Sequence, residues 1–488
     1  MLDGNIIYII INNLNHYNLS IMKNKFLFLT ILIVFMALFA QGQAKYVFLI
    51  IGDGMGLNQI NGTEMYLAEL EGEIGFRPLL FTQFPNAGLL RTHSASNGVT
   101  DSAAAGTAIA TGSKTKNGTV GLDSTLFNPV YSIAVKARNA GKKVGIVTSC
   151  GLDDATPSAF YAHQPKRNMQ YEIAINAYSS RFDFFGGATF TKPETRSDGS
   201  LGHNVYRQME EEGYVLAYGI DEYREKSADA DRIIVMEKKE RKLLDLIYAI
   251  DRQESDLTLA QLSEAAVEHL SHNNDKGFFL MIEGGTIDVA CHANDAATTF
   301  AEVLDMDESV KIAYDFYQRH PEETLIIVTA DHETGGMVLG AGSSRLNLQV
   351  LQHQKMSQMA LSSRIVQLRE QKNNKVSWED IKSLLTEAMG FWDKVTLTPA
   401  EEEQIREAYK ISFVEGDTSK VETLYQKDEK ISVAANKILN KKANVGWMST
   451  GHSAGFVPVF AIGAGAESFN NLMDNTQLSQ KILEVSDF

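Results

Sequence analysis

Cysteine is nearly absent, with Cys150 and Cys291 the only two in 488 residues. That excludes a disulfide framework as the source of the fold, and neither residue lies in a Cys cluster of metal-binding spacing. The two could join once, but only if their α-carbons approach closely, which no sequence states; both are expected to be buried thiols. Positive charge is also short. With 45 Lys and Arg against 61 Asp and Glu the net charge is −16, which argues against attraction to nucleic acid or to an anionic membrane surface. An acidic protein that binds phosphate must concentrate positive charge locally, from arginine or metal. There is no internal repeat and no low-complexity linker. The C-terminal stretch "NNLMDNTQLSQKILEVSDF" lacks the hydrophobic tail of a lipid-anchor signal, so no stable membrane anchor is expected there.

What is present begins with a leader. From Met22 the chain reads "MKNKFLFLTILIVFMALFAQGQA": Lys23 and Lys25 form a basic region, Phe26 to Ala40 an apolar one, and Gly42 and Ala44 suit a signal peptidase. The apolar run is 15 residues, short for a spanning helix. Residues 1–21 read as an upstream extension of the start, and residues 1–44 together as extension plus signal peptide. Removing them takes away Asp3, Lys23 and Lys25, a net +1, and leaves a mature chain of about −17. A periplasmic or secreted protein is the expectation.

The rest alternates strand and helix. "KYVFLII" (Lys45–Ile51), "KVGIVTS" (Lys143–Ser149), "GFFLMI" (Gly277–Ile282), "TLIIVTA" (Thr324–Ala330) and "VPVFAIG" (Val457–Gly463) are short apolar runs that read as buried strands. Between them Leu57–Leu70, Tyr131–Ala140, Leu257–Leu270 and Thr298–Arg319 read as helices. Near-continuous apolar strands separated by helices predict an α/β fold in three layers, a mostly parallel central sheet covered by helices on both faces. The expectation is one catalytic domain over 45–488 with insertions at about 182–252, which mixes short strands with charged helices, and 343–442. The second, polar and largely helical, is read as lying over the sheet's edge, where it could shape substrate access.

Ligands of open α/β sheets bind beyond the carboxyl ends of the strands, and metal-type side chains collect there. The first strand ends in "GDGMG" with Asp53, and the second is followed by "CGLDDATP" with Asp153, Asp154 and Thr156. The third runs into "EGGTIDVACH" with Glu283, Asp288 and His292; the fourth ends in "DHETGG" with Asp331 and His332; "TGHSAG" sets His452 just before the last. One acid at a strand end is commonplace, and with 11 histidines in the chain any single one is more often structural than not. Five successive elements delivering carboxylates and histidines to one edge are not. Asp288 and His292 are four apart, so on a helix they share a face. Oxygen with imidazole suits zinc, and Asp, Glu and Thr oxygens with water suit magnesium.

"DGMG", "TDSAAAGTA", "DATP…H…R", "EGGTID…H", "TADHETGG" and "GHSAG" together resemble the ordered motif set of the alkaline phosphatases, from about Tyr46 to Gly465. The resemblance implies an exported phosphomonoesterase with two zinc ions and one magnesium, acting on phosphate monoesters through a phosphoserine intermediate and releasing inorganic phosphate. It makes Ser102 the nucleophile. Asp53, Asp331 and His332 would hold one zinc, and Asp288, His292 and His452 the other. Asp53 would also bridge to magnesium with Asp154, Thr156 and Glu283. Arg167, in "HQPKRN", would grip the phosphate, and Asp101 would position that arginine. A homodimer is a family-level expectation.

The residues themselves agree. A serine hydroxyl is a poor nucleophile unless something removes or polarises its proton. No GxSxG elbow surrounds Ser102, which weakens a serine–histidine esterase reading, whereas a metal can act as the Lewis acid. The run after Ser102 fits a helix whose small side chains permit close approach and whose first N–H groups face a phosphate. Asp101 or Ser102 could equally serve as the helix N-cap, and both roles can coexist. One departure is Val289, where many alkaline phosphatases carry lysine or histidine; it bears on rate, phosphate affinity and pH optimum rather than on reaction class. A phosphodiesterase or sulfatase of the same fold, or a non-catalytic phosphate-binding protein, are the alternatives.

Overall fold

The computed structural model describes residues 43–238 and 244–488, so the leader predicted over 1–44 lies almost wholly outside the described residues. Ten strands form the central sheet: β1 (Tyr46–Gly52), β2 (Asn86–Arg91), β3 (Lys143–Thr148), β4 (Phe184–Gly187), β5 (Tyr214–Tyr218), β6 (Arg232–Met236), β7 (Phe278–Gly284), β8 (Thr324–Thr329), β9 (Val457–Gly463) and β10 (Asn471–Asp474). Their order is β10-β2-β9-β8-β1-β7-β3-β4-β6-β5. Strand β9 alone runs antiparallel to its neighbours; every other pair in the sheet is parallel.

Strands buried on both faces need no polar alternation, and β1 and β7 are buried at every residue. Successive side chains still point to opposite faces. Phe278 of β7 meets Phe316 with ring centroids 5.3 Å apart, while the adjacent Phe279 meets Phe160 at 6.1 Å. The helices used below are α1 (Leu57–Leu70), α2 (Ser102–Thr111), α3 (Ala155–Ser158), α4 (Thr286–His292), α5 (Ala296–Arg319), α6 (Gln358–Gln371), α7 (Trp378–Met389), α8 (Pro399–Tyr409) and α9 (Lys430–Ala443). The layered α/β sheet predicted from the apolar runs is the sheet observed, with strand ends shifted by a residue or two.

Two regions differ from the sequence reading. The stretch 182–252, set apart there as an insertion, supplies β4, β5 and β6, which extend the sheet in parallel from β3. Its short strands, expected there beside charged helices, are only four or five residues long, and their length alone does not tell that they join the central sheet. The helical stretch 343–442 builds a second apolar core from α6, α7, α8 and α9, and that core takes in Ala296, Ala297 and Phe300 of α5, with Met65 and Tyr66 of α1 against it. It contains no residue of the edge strands β5 and β10. The insertion therefore rests on helices at the carboxyl ends of the middle strands, not over a sheet edge.

The direction of β9 has a positional consequence. Val459 pairs with Thr329 and Gly463 with Leu325, so the start of β9 lies beside the end of β8. A residue just before an antiparallel strand thus reaches the edge that residues just after the parallel strands reach.

Candidate active site

The acids and histidines at that edge, Asp153 apart, converge. Asp53 leaves β1 through a turn that only glycine can make. Gly54 has φ +68°, a Cβ there would lie 2.6 Å from Asp288 Oδ1, and its N–H donates to Asp331 Oδ1 at 3.2 Å. The Asp331–His332 turn is tied to the segment before β9 by a two-residue antiparallel pair, His452 opposite Thr334 and Ser453 opposite Glu333. Helix α4 carries Asp288 and His292 one turn apart, His292 Nε2 standing 3.1 Å from Asp288 Oδ2.

Two overlapping groups result. In one, ligand-type atoms of Asp53, Asp331 and His332 all lie within 4.8 Å of one another; in the other, those of Asp288, His332 and His452 do. His332 Nε2 is 3.5 Å from Asp53 Oδ1 and 3.2 Å from Asp331 Oδ2. His292 Nε2 is 3.2 Å from His452 Nε2, so His292 also borders the second group, and His332 and His452 stack with centroids 3.7 Å apart. Beside Asp53 stand Thr156, whose hydroxyl donates to Asp53 Oδ2 at 3.3 Å, and Glu283, which accepts from Thr148.

The histidine tautomers follow from what each Nδ1 meets. His452 Nδ1 faces the Thr100 carbonyl at 2.9 Å and His292 Nδ1 the Thr450 carbonyl. A carbonyl only accepts, so both Nδ1 atoms carry hydrogen and the neutral rings turn Nε2 lone pairs inward. His332 Nδ1 meets the Thr334 hydroxyl, which itself donates to Asp288. Two lone pairs 3.2 Å apart repel unless a proton or a cation sits between them. Carbonyl and hydroxyl partners of this kind orient metal-binding imidazoles.

The carboxylates show the same deficit. Asp53 Oδ1, Asp331 Oδ2 and Glu283 Oε1 are buried without a hydrogen-bond partner, an expensive condition for an ionised oxygen. Burial, reinforced by Asp331 and Asp288, pushes Asp53 well above the usual carboxylate range. Burial and then Asp154 push Glu283 up to about 8; burial and then Asp288 push Asp331 to about 7. Burial also opposes ionisation of Asp288, but His292, His332 and His452 outweigh it and hold that carboxyl low. Oxygens and imidazole nitrogens that lack donors, at cation-binding spacing, fit divalent metal ions.

Ser102 opens α2. Its Oγ is fully buried and 3.2 Å from His332 Nε2, so it faces the cluster itself. Asp101 is the N-cap: Oδ1 accepts from Ala104 N at 3.1 Å and Oδ2 from Gly118 N at 2.9 Å. The alanines of α2 are buried against neighbouring chain, and Gly106 lies so close to α3 that a Cβ would meet Ala159 Cβ at 3.2 Å and Thr156 Cα at 3.3 Å. Small side chains therefore bring the serine helix onto the threonine helix as much as they leave room for ligands. Arg167 reaches over this edge, with Nη1 3.6 Å from Asp101 Oδ2 and Nη2 3.1 Å from Asp154 Oδ1.

All but one of the residues singled out in the sequence at this edge lie in this cluster or touch it. Asp153 is the exception: it turns away to accept from the N–H and hydroxyl of Thr191. Val289 packs into a small apolar group with Cys150, Tyr248 and Ala290, and both cysteines are free and buried. Thr148, Thr334 and Tyr425 were not anticipated. The threonines sit within strand and turn motifs already read for their acids, whereas Tyr425 carries no local signal.

Known proteins agree with the architecture. The sequence profile of the alkaline phosphatase family matches residues 44–185 and 192–487. The chain is 29% identical over 472 residues to alkaline phosphatase 4 of Bacillus subtilis (strain 168), covering 91% of this chain and 89% of that protein. It is 29% identical over 457 residues to the alkaline phosphatase of Schizosaccharomyces pombe, covering 89% and 80%. Its fold is similar to the cold-active alkaline phosphatase of Shewanella sp. (TM-score 0.76, 25% identity, 90% of this chain and 99% of that one). The same holds for the Thermus thermophilus alkaline phosphatase (TM-score 0.73, 26% identity, 91% and 92%).

Proposed function

Because the chain belongs to the alkaline phosphatase family, we propose that it hydrolyses phosphate monoesters, with Ser102 as nucleophile. The observation that carries this reading is the buried Ser102 Oγ set 3.2 Å from His332 Nε2, within a cluster where Asp53 Oδ1, Asp331 Oδ2 and Glu283 Oε1 have no donor among the described residues. Asp53, Asp331 and His332 would hold one zinc ion, Asp288, His292 and His452 a second, and Asp53, Asp154, Thr156 and Glu283 a magnesium ion. When bound, the zinc ions supply Lewis acidity, which lowers the pKa of the serine hydroxyl and stabilises the departing oxygen.

The chain's own groups do the rest. Ser102 Oγ forms a bond to phosphorus as the ester P–O bond breaks, and the leaving alkoxide takes a proton and departs as alcohol. Water then attacks the phosphoserine, releasing inorganic phosphate and restoring the hydroxyl. The first N–H groups of α2, which have no acceptor within the helix, face the incoming oxygens. Arg167 supplies a fork for two non-bridging oxygens. Burial would weaken its charge, but Tyr425, Asp154 and Asp101 outweigh that and hold it protonated. The guanidinium thus provides the concentrated positive charge that a chain of net −16 otherwise lacks.

No helix among the described residues is long and apolar enough to cross a membrane. We read the stretch from Met22 to Ala44 as a cleaved leader and the enzyme as working outside the cytoplasm. The test of the function is hydrolysis of an aryl phosphate monoester by the purified chain, before and after chelation and re-addition of zinc and magnesium. Activity that vanishes and returns is expected. A metal-replete chain that leaves the monoester intact but cleaves a diester or a sulfate ester would move the assignment to those substrates.

A further inference from the structure

The geometry points to Tyr425, on the 343–442 insertion, as a further phosphate-binding residue that also positions Arg167; the inference rests on the phosphatase reading above. Tyr425 lies in the four-residue turn of a hairpin in which Val421 pairs with Asp428 and Glu422 with Lys427. The turn is tight: Thr423 N donates to Gln426 O at 2.9 Å and Gln426 N to Thr423 Oγ1 at 3.3 Å. It is also anchored, because Gln426 Nε2 donates to Tyr248 Oη at 2.8 Å and Asp428 accepts from Gln358 Nε2 at 2.8 Å. Tyr248 is buried and packs against Val289 and Ala290 of α4, the helix that carries Asp288 and His292. A sequence-distant hairpin is thereby pinned to the site.

From that turn Tyr425 touches both sides of the site. Its Oη is 3.1 Å from Arg167 Nη2, and its ring meets His292 edge-on, centroids 5.1 Å apart at 75°. A guanidinium can only donate, so Tyr425 Oη accepts from Arg167 and its own hydrogen remains free to donate. A phosphoryl group gripped by Arg167 presents acceptor oxygens beside that hydrogen. Asp154, which shares Nη2 with Tyr425, cannot supply such a donor, since a carboxylate only accepts. The residue is 40% exposed, so Tyr425 is not part of the core, while its hydroxyl is turned toward Arg167.

The hydroxyl would bind phosphate alike in substrate and transition state, and its loss would raise KM with kcat nearly unchanged. The experiment compares the ion-loaded wild type with Tyr425→Phe and Tyr425→Ala. It measures inorganic phosphate binding by calorimetry, and kcat and KM for one aryl phosphate. In both variants phosphate binding is expected to weaken about tenfold, the worth of one hydrogen bond to a charged partner, with KM rising in step and kcat within about twofold. Phosphate that binds Tyr425→Phe as well as or more tightly than wild type overturns the inference, the tighter result marking Tyr425 as a competitor for Arg167. A kcat that collapses while phosphate affinity holds overturns it too, as the mark of a structural role. A wild type that neither binds phosphate nor hydrolyses the ester overturns the phosphatase reading itself, and is told apart because it appears without any substitution.

Discussion

The two ends of the site are built from different chemistry. Around Asp53, Asp331 and Glu283 the ligand atoms are mainly carboxylate oxygens, buried, with one oxygen of each lacking a donor among the described residues, and burial pushes all three carboxyls up. Around Asp288 one carboxylate faces His292 and His452 at 3.1 Å and 3.8 Å, and the imidazoles hold it low. The first end cannot ionise fully without cations. The second sets imidazoles against its carboxylate, which favours the ionised carboxyl. His332 belongs to both, and Ser102 stands against it. Ser102 is thus placed at the junction of the carboxylate-rich end with the imidazole-rich end.

The largest expected effect tests that junction. Ser102→Ala should lower turnover at least about 10⁴-fold, by the scale of nucleophile removal in other serine enzymes, and abolish phosphoenzyme formation. The bound zinc should be unchanged when measured by elemental analysis. A normal burst of product from the variant would remove Ser102 from the chemistry.

A smaller effect separates the two ends. His452→Ala removes an imidazole from the Asp288 end only, so one zinc should be weakened by more than about 100-fold, the upper cost of losing a group that merely orients a ligand, while the Asp53 end keeps its ion. Parallel titrations with a zinc indicator would show one site lost and one retained. Equal loss at both ends would mean that they do not bind independently.

The smallest effect is on stability. In the chelated protein Glu283, at about 8, and Asp331, at about 7, hold protons that the unfolded chain releases near pH 4. The folded state then binds more protons than the unfolded one between those values, so stability falls as pH rises from about 4 to about 8. Thermal melts of chelated protein should show a Tm that declines from pH 5 to pH 8, and a much flatter profile with zinc and magnesium restored. A chelated Tm that rises over that range would break the contrast.

Much of this arrangement was legible along the chain, for identifiable reasons. Strands buried on both faces announce themselves as apolar runs, so β1, β3, β7, β8 and β9 were found within a residue or two. Asp53, Asp154, Glu283, Asp331 and His332 follow or end those runs, so parallel topology alone sends them to one edge. Asp288 and His292 share a face by helical spacing. The strands of 182–252 were legible as short strands among charged helices, but not their place in the central sheet, because strands of four or five residues carry no signal of which strand they pair with.

By itself the sequence determined the five middle strands of the sheet, the set of metal-type side chains at their edge, and the serine at a helix start, because each is written in local pattern. Only the tertiary structure decided the rest. His452 precedes its strand and reaches the carboxyl edge only because β9 runs antiparallel to β8, a property of pairing with a residue more than a hundred positions away. Thr334 couples His332 to Asp288 across the turn, and Tyr425 reaches Arg167 from 258 residues downstream. Those contacts depend on which surfaces pack together, and packing is chosen by the whole core rather than by any stretch of it.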